Sequence, residues 1–190
     1  MFKLLPKHLD HFHLTLGVSW KIDSAHSEIQ FSVRHMMISK ARGRFDAFSG
    51  EVNFDEKNPA ASSVDVSIDA SSINTRDAQR DGHLKSPDFL NMEEYPALRF
   101  ISKRVEVLGE NKGRIYGDLT IRDISREVVM DADFSGTAKS PWGATSAGFS
   151  ATTSFDRTEW GLVWNQALET GGILVGDKVD VSIELELIKQ

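Results

Sequence analysis

Apolar and polar residues alternate along most of the chain. In Ile29-Gln30-Phe31-Ser32-Val33-Arg34-His35, Ile29, Phe31, Val33 and His35 share one face, while Gln30, Ser32 and Arg34 share the other. The first set is expected to point inward. Further runs with strand character lie near Gly43 to Phe54, Ser63 to Ala70, Leu98 to Val107, Gly113 to Asp123, Arg126 to Thr137, Ala144 to Asp156 and Asp177 to Ile188. Val64/Val66/Ile68/Ala70, Val128/Met130/Ala132/Phe134, Ala147/Phe149/Ala151 and Val179/Val181/Ile183/Leu185/Leu187 each set one apolar face against a polar one.

Turn-forming residues separate the runs at Asp55 to Pro59, Gly109 to Gly113, Ser140-Pro141-Trp142-Gly143 and Gly171-Gly172. Such short links imply antiparallel neighbours. Eight half-buried strands must hide one face, either by packing two sheets together or by closing one sheet on itself. Closure also removes the exposed edges. The expected fold is therefore all-β, an eight-stranded antiparallel barrel. Thr75 to Leu90 breaks the alternation and predicts a short helical insertion near residues 75–90, with Ser86 and Pro87 opening a second short helix. Leu84, Phe89 and Leu90 could then fold over a barrel mouth as a lid.

Composition narrows the function. A length of 190 residues fits one domain, read as 20–190 behind an extension at 1–19. The net charge of −6 argues against nucleic acid, whose phosphates are neutralised by clustered Lys and Arg. Without cysteine there are no disulfides, thiolate zinc sites or Cys nucleophiles. No stretch reaches the ~20 apolar residues of a membrane-spanning helix. The opening MFKLLPKHLDHFHLTLGVSW makes a poor export signal, so the expected location is cytoplasmic, or periplasmic if the true start lies upstream.

Catalytic constellations are lacking. No Gly-x-Ser-x-Gly elbow is present for a hydrolase, and Gly171-Gly172 lies between strands rather than before a phosphate-binding helix. Glu93 and Glu94 fall beside Tyr95-Pro96 in a turn, where they read as solvated charge. His8, His11 and His13 invite a metal, yet lie in the N-terminal extension without evident partners to orient their rings, so no metal site is assigned. His26 reads as a turn-capping residue.

Several motifs in one order resemble the YceI-like family. They are Trp20-Lys21-Ile22-Asp23-Ser24-Ala25-His26-Ser27 with the run to His35, Gly43-Arg44-Phe45, Phe48-Ser49-Gly50, and Arg80 to Leu90. Tyr95-Pro96, Gly117 to Arg122, Pro141-Trp142-Gly143, Phe155-Asp156-Arg157, Gly171-Gly172 and Leu174 to Asp177 follow. The resemblance implies a lipocalin-like barrel whose long apolar cavity holds a polyisoprenoid or another long-chain amphiphile such as an isoprenoid quinone or fatty acid. One departure is Asp123, where relatives carry a Gly that would ease a turn with positive φ.

With that implication, the aromatic and aliphatic inward positions gain a second meaning. Small residues at Ala70, Gly117, Ala147 and Ala151 are expected to leave space that an ordinary core would fill. The expected tail contacts are Phe31, Val33, Phe45, Val66, Ile68, Phe100, Leu119, Ile121, Met130, Phe134, Phe149 and Ile183. His35, Arg80 and His83 are the expected head-group contacts, although a satisfied core histidine and an Arg80–Asp81 surface pair explain these residues as well. The resulting reading is non-catalytic transport or storage of a lipid, with no cofactor. A filled barrel acting as a stress-related protein-interaction module, an isoprenoid-modifying enzyme, and a homodimer stay open.

Overall fold

The computed structural model describes residues 18–190. The expected extension, and with it His8, His11 and His13, lies outside the described residues, except that Val18 and Ser19 are seen and Ser19 opens the first strand. Eleven strands follow. They are β1 (Ser19–Ile22), β2 (Glu28–His35), β3 (Ser39–Phe45), β4 (Phe48–Asn53), β5 (Ser63–Asp69), β6 (Ile73–Asn74), β7 (Ala97–Gly109), β8 (Lys112–Ile121), β9 (Ile124–Lys139), β10 (Thr145–Asp156) and β11 (Val175–Lys189).

Three of these strands continue others across a bend, so the barrel has eight staves: β1 with β2, β3 with β4, β5 with β6, and β7 to β11 singly. All pairings are antiparallel. The long β11 runs beside β2 from Val175 to Glu184 and then beside β1 from Leu187 to Lys189. On its other side β1 pairs with β4 from Ser19 to Lys21, and this closes the ring.

The bends explain where the reading from sequence differs from the structure. The run Gly43 to Phe54 was expected to be continuous, but it kinks at Asp46-Ala47 and splits into β3 and β4. Phe45 and Phe48, three residues apart, both pack against the core, which strict period-two alternation forbids. Asp46 holds the kink. Its carboxylate accepts from Arg44 Nε at 2.6 Å and Asn74 Nδ2 at 2.8 Å, and its N–H donates to Ser72 O.

The helical insertion contains one helix, α1 (Ala78–Lys85), capped by the Asp77 side chain, which accepts from the Arg80 N–H. The expected second helix after Ser86 is instead a series of turns. Ser86 closes α1, its N–H and hydroxyl both donating to His83 O. The turn expected to place positive φ at Asp123 places it at Arg122, with φ of 59°. No helix among the described residues is long and apolar enough to cross a membrane.

Candidate functional site

The inward face of the barrel is not fully packed. It encloses a cavity of about 630 Å³, within the range of small-molecule sites. The ten residues of β8, at about 3.4 Å each and a tilt of about 40°, set a channel on the order of 25 Å long. All twelve expected tail positions, Phe31, Val33, Phe45, Val66, Ile68, Phe100, Leu119, Ile121, Met130, Phe134, Phe149 and Ile183, line it.

The two ends of the channel differ. One end is sealed. There the segment after β6 turns Leu84, Phe89 and Leu90 into the cavity, and Leu162 joins them from the link between β10 and β11. Phe89, Leu90 and Leu162 are buried, so this segment forms a floor. At the other end the channel is bordered by exposed residues. These are Val107, Gly109, Glu110, Asn111 and Lys112 on the β7–β8 hairpin, and Glu56 on the link between β4 and β5. This end is the mouth.

Space inside the channel has a different origin from the one expected. Gly117 leaves no gap, because the Phe100 ring occupies the place its side chain would take. Ala70 and Ala147 are fully buried and do not border the cavity. Ala151 does border it, facing Ala132 across the β9–β10 pair, and these two short side chains leave the wall open there. Nearby, Phe54, Phe134 and Phe149 form an aromatic cluster with ring centroids 5.0–5.1 Å apart.

None of His35, Arg80 and His83 lines the cavity. His35 ends β2 beside a tight turn, where its carbonyl accepts from the Ile38 N–H. Arg80 donates to the Thr75 hydroxyl at 2.8 Å and the Thr75 carbonyl at 2.9 Å. Asp81 also binds Thr75, accepting from its N–H and hydroxyl, so the expected Arg80–Asp81 pair is replaced by two contacts to one buried threonine. His83 pairs with Asp88 at 2.8 Å and stands edge-on to Trp164 and Phe89, one layer behind the floor.

A charged residue that the alternation reading passed over does reach the cavity. Arg157 is 3% exposed. It donates from Nε to Gly176 O at 2.9 Å, from Nη1 to Leu162 O and to Trp164 O at 3.0 Å, and from Nη2 to Val175 O and the Asp177 carboxylate. All five N–H groups are thereby used, and the guanidinium ties the β10–β11 link to the barrel end. Burial pushes its pKa below the ordinary value while Asp177 and Asp156 oppose the shift; an arginine so placed stays charged. The signal was available, since Arg157 stands two residues beyond inward Phe155.

Asp23, His26 and Glu186 each bring a ligating atom within 4.8 Å of the others on the outer surface. Asp23 and His26 already satisfy each other at 2.8 Å, with Asp23 held below and His26 raised above the ordinary value by that bond. This is a capped turn at the β1–β2 corner.

Comparison with known proteins agrees with this geometry. A UPF0312 protein of Staphylococcus aureus (strain USA300) is 36% identical over 169 residues, covering 88% of this chain and 96% of the relative. The Campylobacter jejuni YCEI protein superposes with a TM-score of 0.71 at 31% identity, covering 83% and 90% of the two chains. Two more distant structures share the fold. Burkholderia cenocepacia BcnA has a TM-score of 0.77 at 22% identity, covering 87% and 98%, and a polyisoprenoid binding domain from Saccharophagus degradans has 0.64 at 13%, covering 91% and 99%. The profile of the YceI-like domain matches residues 20–187, and the chain belongs to that family.

Proposed function

We propose that the protein binds a long-chain apolar amphiphile of the polyisoprenoid class, carrying or storing it without chemical change. The observation that carries this reading is the channel, which is long, almost wholly apolar in its lining and bordered at one end by exposed residues. A chain-like molecule would gain most from such a space, because its binding free energy scales with the apolar area taken out of water. The Saccharophagus neighbour, described as a polyisoprenoid binding domain, supports the same ligand class.

The floor sets the orientation. Leu84, Phe89, Leu90 and Leu162 offer a polar group no partner, and the N–H groups of Arg157 are spent on carbonyls and Asp177. A head group buried there would lose its hydration without replacement. In this reading the tail points to the floor, against Phe31, Phe100, Met130, Phe134 and Phe149. The head stays hydrated at the mouth near Asn111 and Lys112.

Titration of purified protein with geranylgeraniol, alone and with Ala151→Phe, tests this. Saturable uptake by the parent protein and loss of about tenfold or more in affinity in the variant are expected. Absence of uptake by the parent protein would sink the proposal.

A further inference from the structure

Pro141-Trp142-Gly143 forms the turn between β9 and β10 and has no part in the channel. Trp142 is 91% exposed, an unusual position for the largest apolar side chain. The turn that presents it is firmly built. Ser140 N–H donates to Ala144 O at 2.7 Å, Gly143 N–H to Ser140 O at 3.0 Å, and Ala144 N–H to the Ser140 hydroxyl at 3.1 Å. Gly143 takes φ of 91°, which closes the loop and leaves the indole pointing outward.

This turn lies at the same end of the barrel as the mouth, because β8 starts and β9 ends there. The β7–β8 hairpin at that end exposes Val107 by 50% and Leu108 by 48%. Val107 also lines the channel, so at this hairpin the apolar wall reaches the outer surface.

We infer that this end of the barrel docks on a lipid bilayer, with Trp142 and Leu108 entering the interface so that the mouth opens onto the membrane. The inference rests on the carrier reading above and gives it a source for the cargo. Two observations select a bilayer over a protein. An apolar chain passing between channel and membrane avoids water only if the mouth is in contact with the lipid, and the Val107 surface supplies that continuity. The exposed charges around the mouth, Glu56, Lys57, Glu110, Lys112, Asp133, Lys139 and Lys189, mix both signs with little excess of either, as a zwitterionic headgroup layer accommodates. A tryptophan at headgroup depth is a common membrane anchor.

The test uses the full chain with phosphatidylcholine vesicles. The parent protein is expected to float with vesicles and to have its tryptophan emission quenched by brominated phosphatidylcholine. Leu108→Ser with Trp142→Ser should reduce vesicle association and slow geranylgeraniol uptake from vesicles, each about tenfold. Uptake of geranylgeraniol added from ethanol should be unchanged, since neither residue lines the channel. Met37→Ser with Ile38→Ser, exposed at the opposite end, should behave as the parent protein.

Parent protein that stays in the aqueous phase would overturn the inference. So would loss of flotation in the Met37/Ile38 variant rather than the Leu108/Trp142 variant. Sedimentation as a dimer that the Leu108/Trp142 variant converts to monomer would assign the face to a second copy and overturn it as well. If ethanol-delivered geranylgeraniol fails to bind, the carrier reading falls, while flotation of the empty protein still decides the docking question.

Discussion

The ring of Phe100 on β7 lies directly over Gly117 on β8, filling the space a side chain at 117 would occupy. A Cβ there would also stand 2.6 Å from the Ile101 carbonyl, so rotation of the Phe100 ring alone cannot relieve the clash. Gly117→Ala is expected to destabilise the protein by about 1–3 kcal/mol and to push Phe100 into the channel. Thermal denaturation and geranylgeraniol affinity should fall together; an unchanged melting temperature would count against the packing described.

Ala132 and Ala151 face each other across β9 and β10 and leave the channel wall open. Phenylalanine at either position has empty volume to occupy, unlike an insertion into a filled core. Ala151→Phe should therefore keep or raise the melting temperature while blocking ligand uptake. Loss of stability with full uptake would show that the space lies elsewhere.

Arg157 binds two carbonyls of the β10–β11 link, at Leu162 and Trp164, and two at the start of β11, at Val175 and Gly176. Arg157→Met removes those bonds and leaves buried acceptors unpaired, at a cost of about 3 kcal/mol or more in chemical denaturation. Arg157→Lys should recover little, because an ammonium cannot reproduce the forked geometry.

Asp180 gives a pH dependence of known sign. Its hydrogen bonds from Ser154, Lys178 and Lys40, opposed by a smaller desolvation effect, hold its pKa down to about 2 from 3.8. A carboxyl whose folded value is depressed contributes stability above the unfolded value, and that contribution is lost as pH falls from about 4 to about 2. Asp180→Asn should flatten the acid limb of a urea-denaturation series in that window. An unaltered limb would contradict the assignment. The effect is small, since Asp180 is about one-third exposed and solvent screens its partners.

Much of this was legible in sequence for a physical reason. Period-two alternation forces one face inward, so the twelve inward positions named from parity and family resemblance all line the cavity. Parity fails where a strand bends. It carried the Gly43 to Phe54 run through Asp46-Ala47, because neither residue announces the bonds to Arg44, Asn74 and Ser72 that make the kink. The short β1 and β6 were missed since two to four residues carry no detectable period. Empty volume was harder still. Gly117 looked like a gap because the sequence does not show Phe100 bending over it, and the Ala132–Ala151 pairing depends on register across a bulge between Gly148 and Phe149. His35 continued an inward parity, yet the strand ends there and the cavity does not reach it.

Native mass spectrometry of protein purified without detergent tests the lipid-carrier account most directly, before and after incubation with geranylgeraniol, beside Ala151→Phe. The account predicts one bound long-chain molecule per barrel, present on purification or acquired on incubation, and absent from the variant. Parent protein that stays bare under both conditions, or a variant that binds equally well, would contradict it.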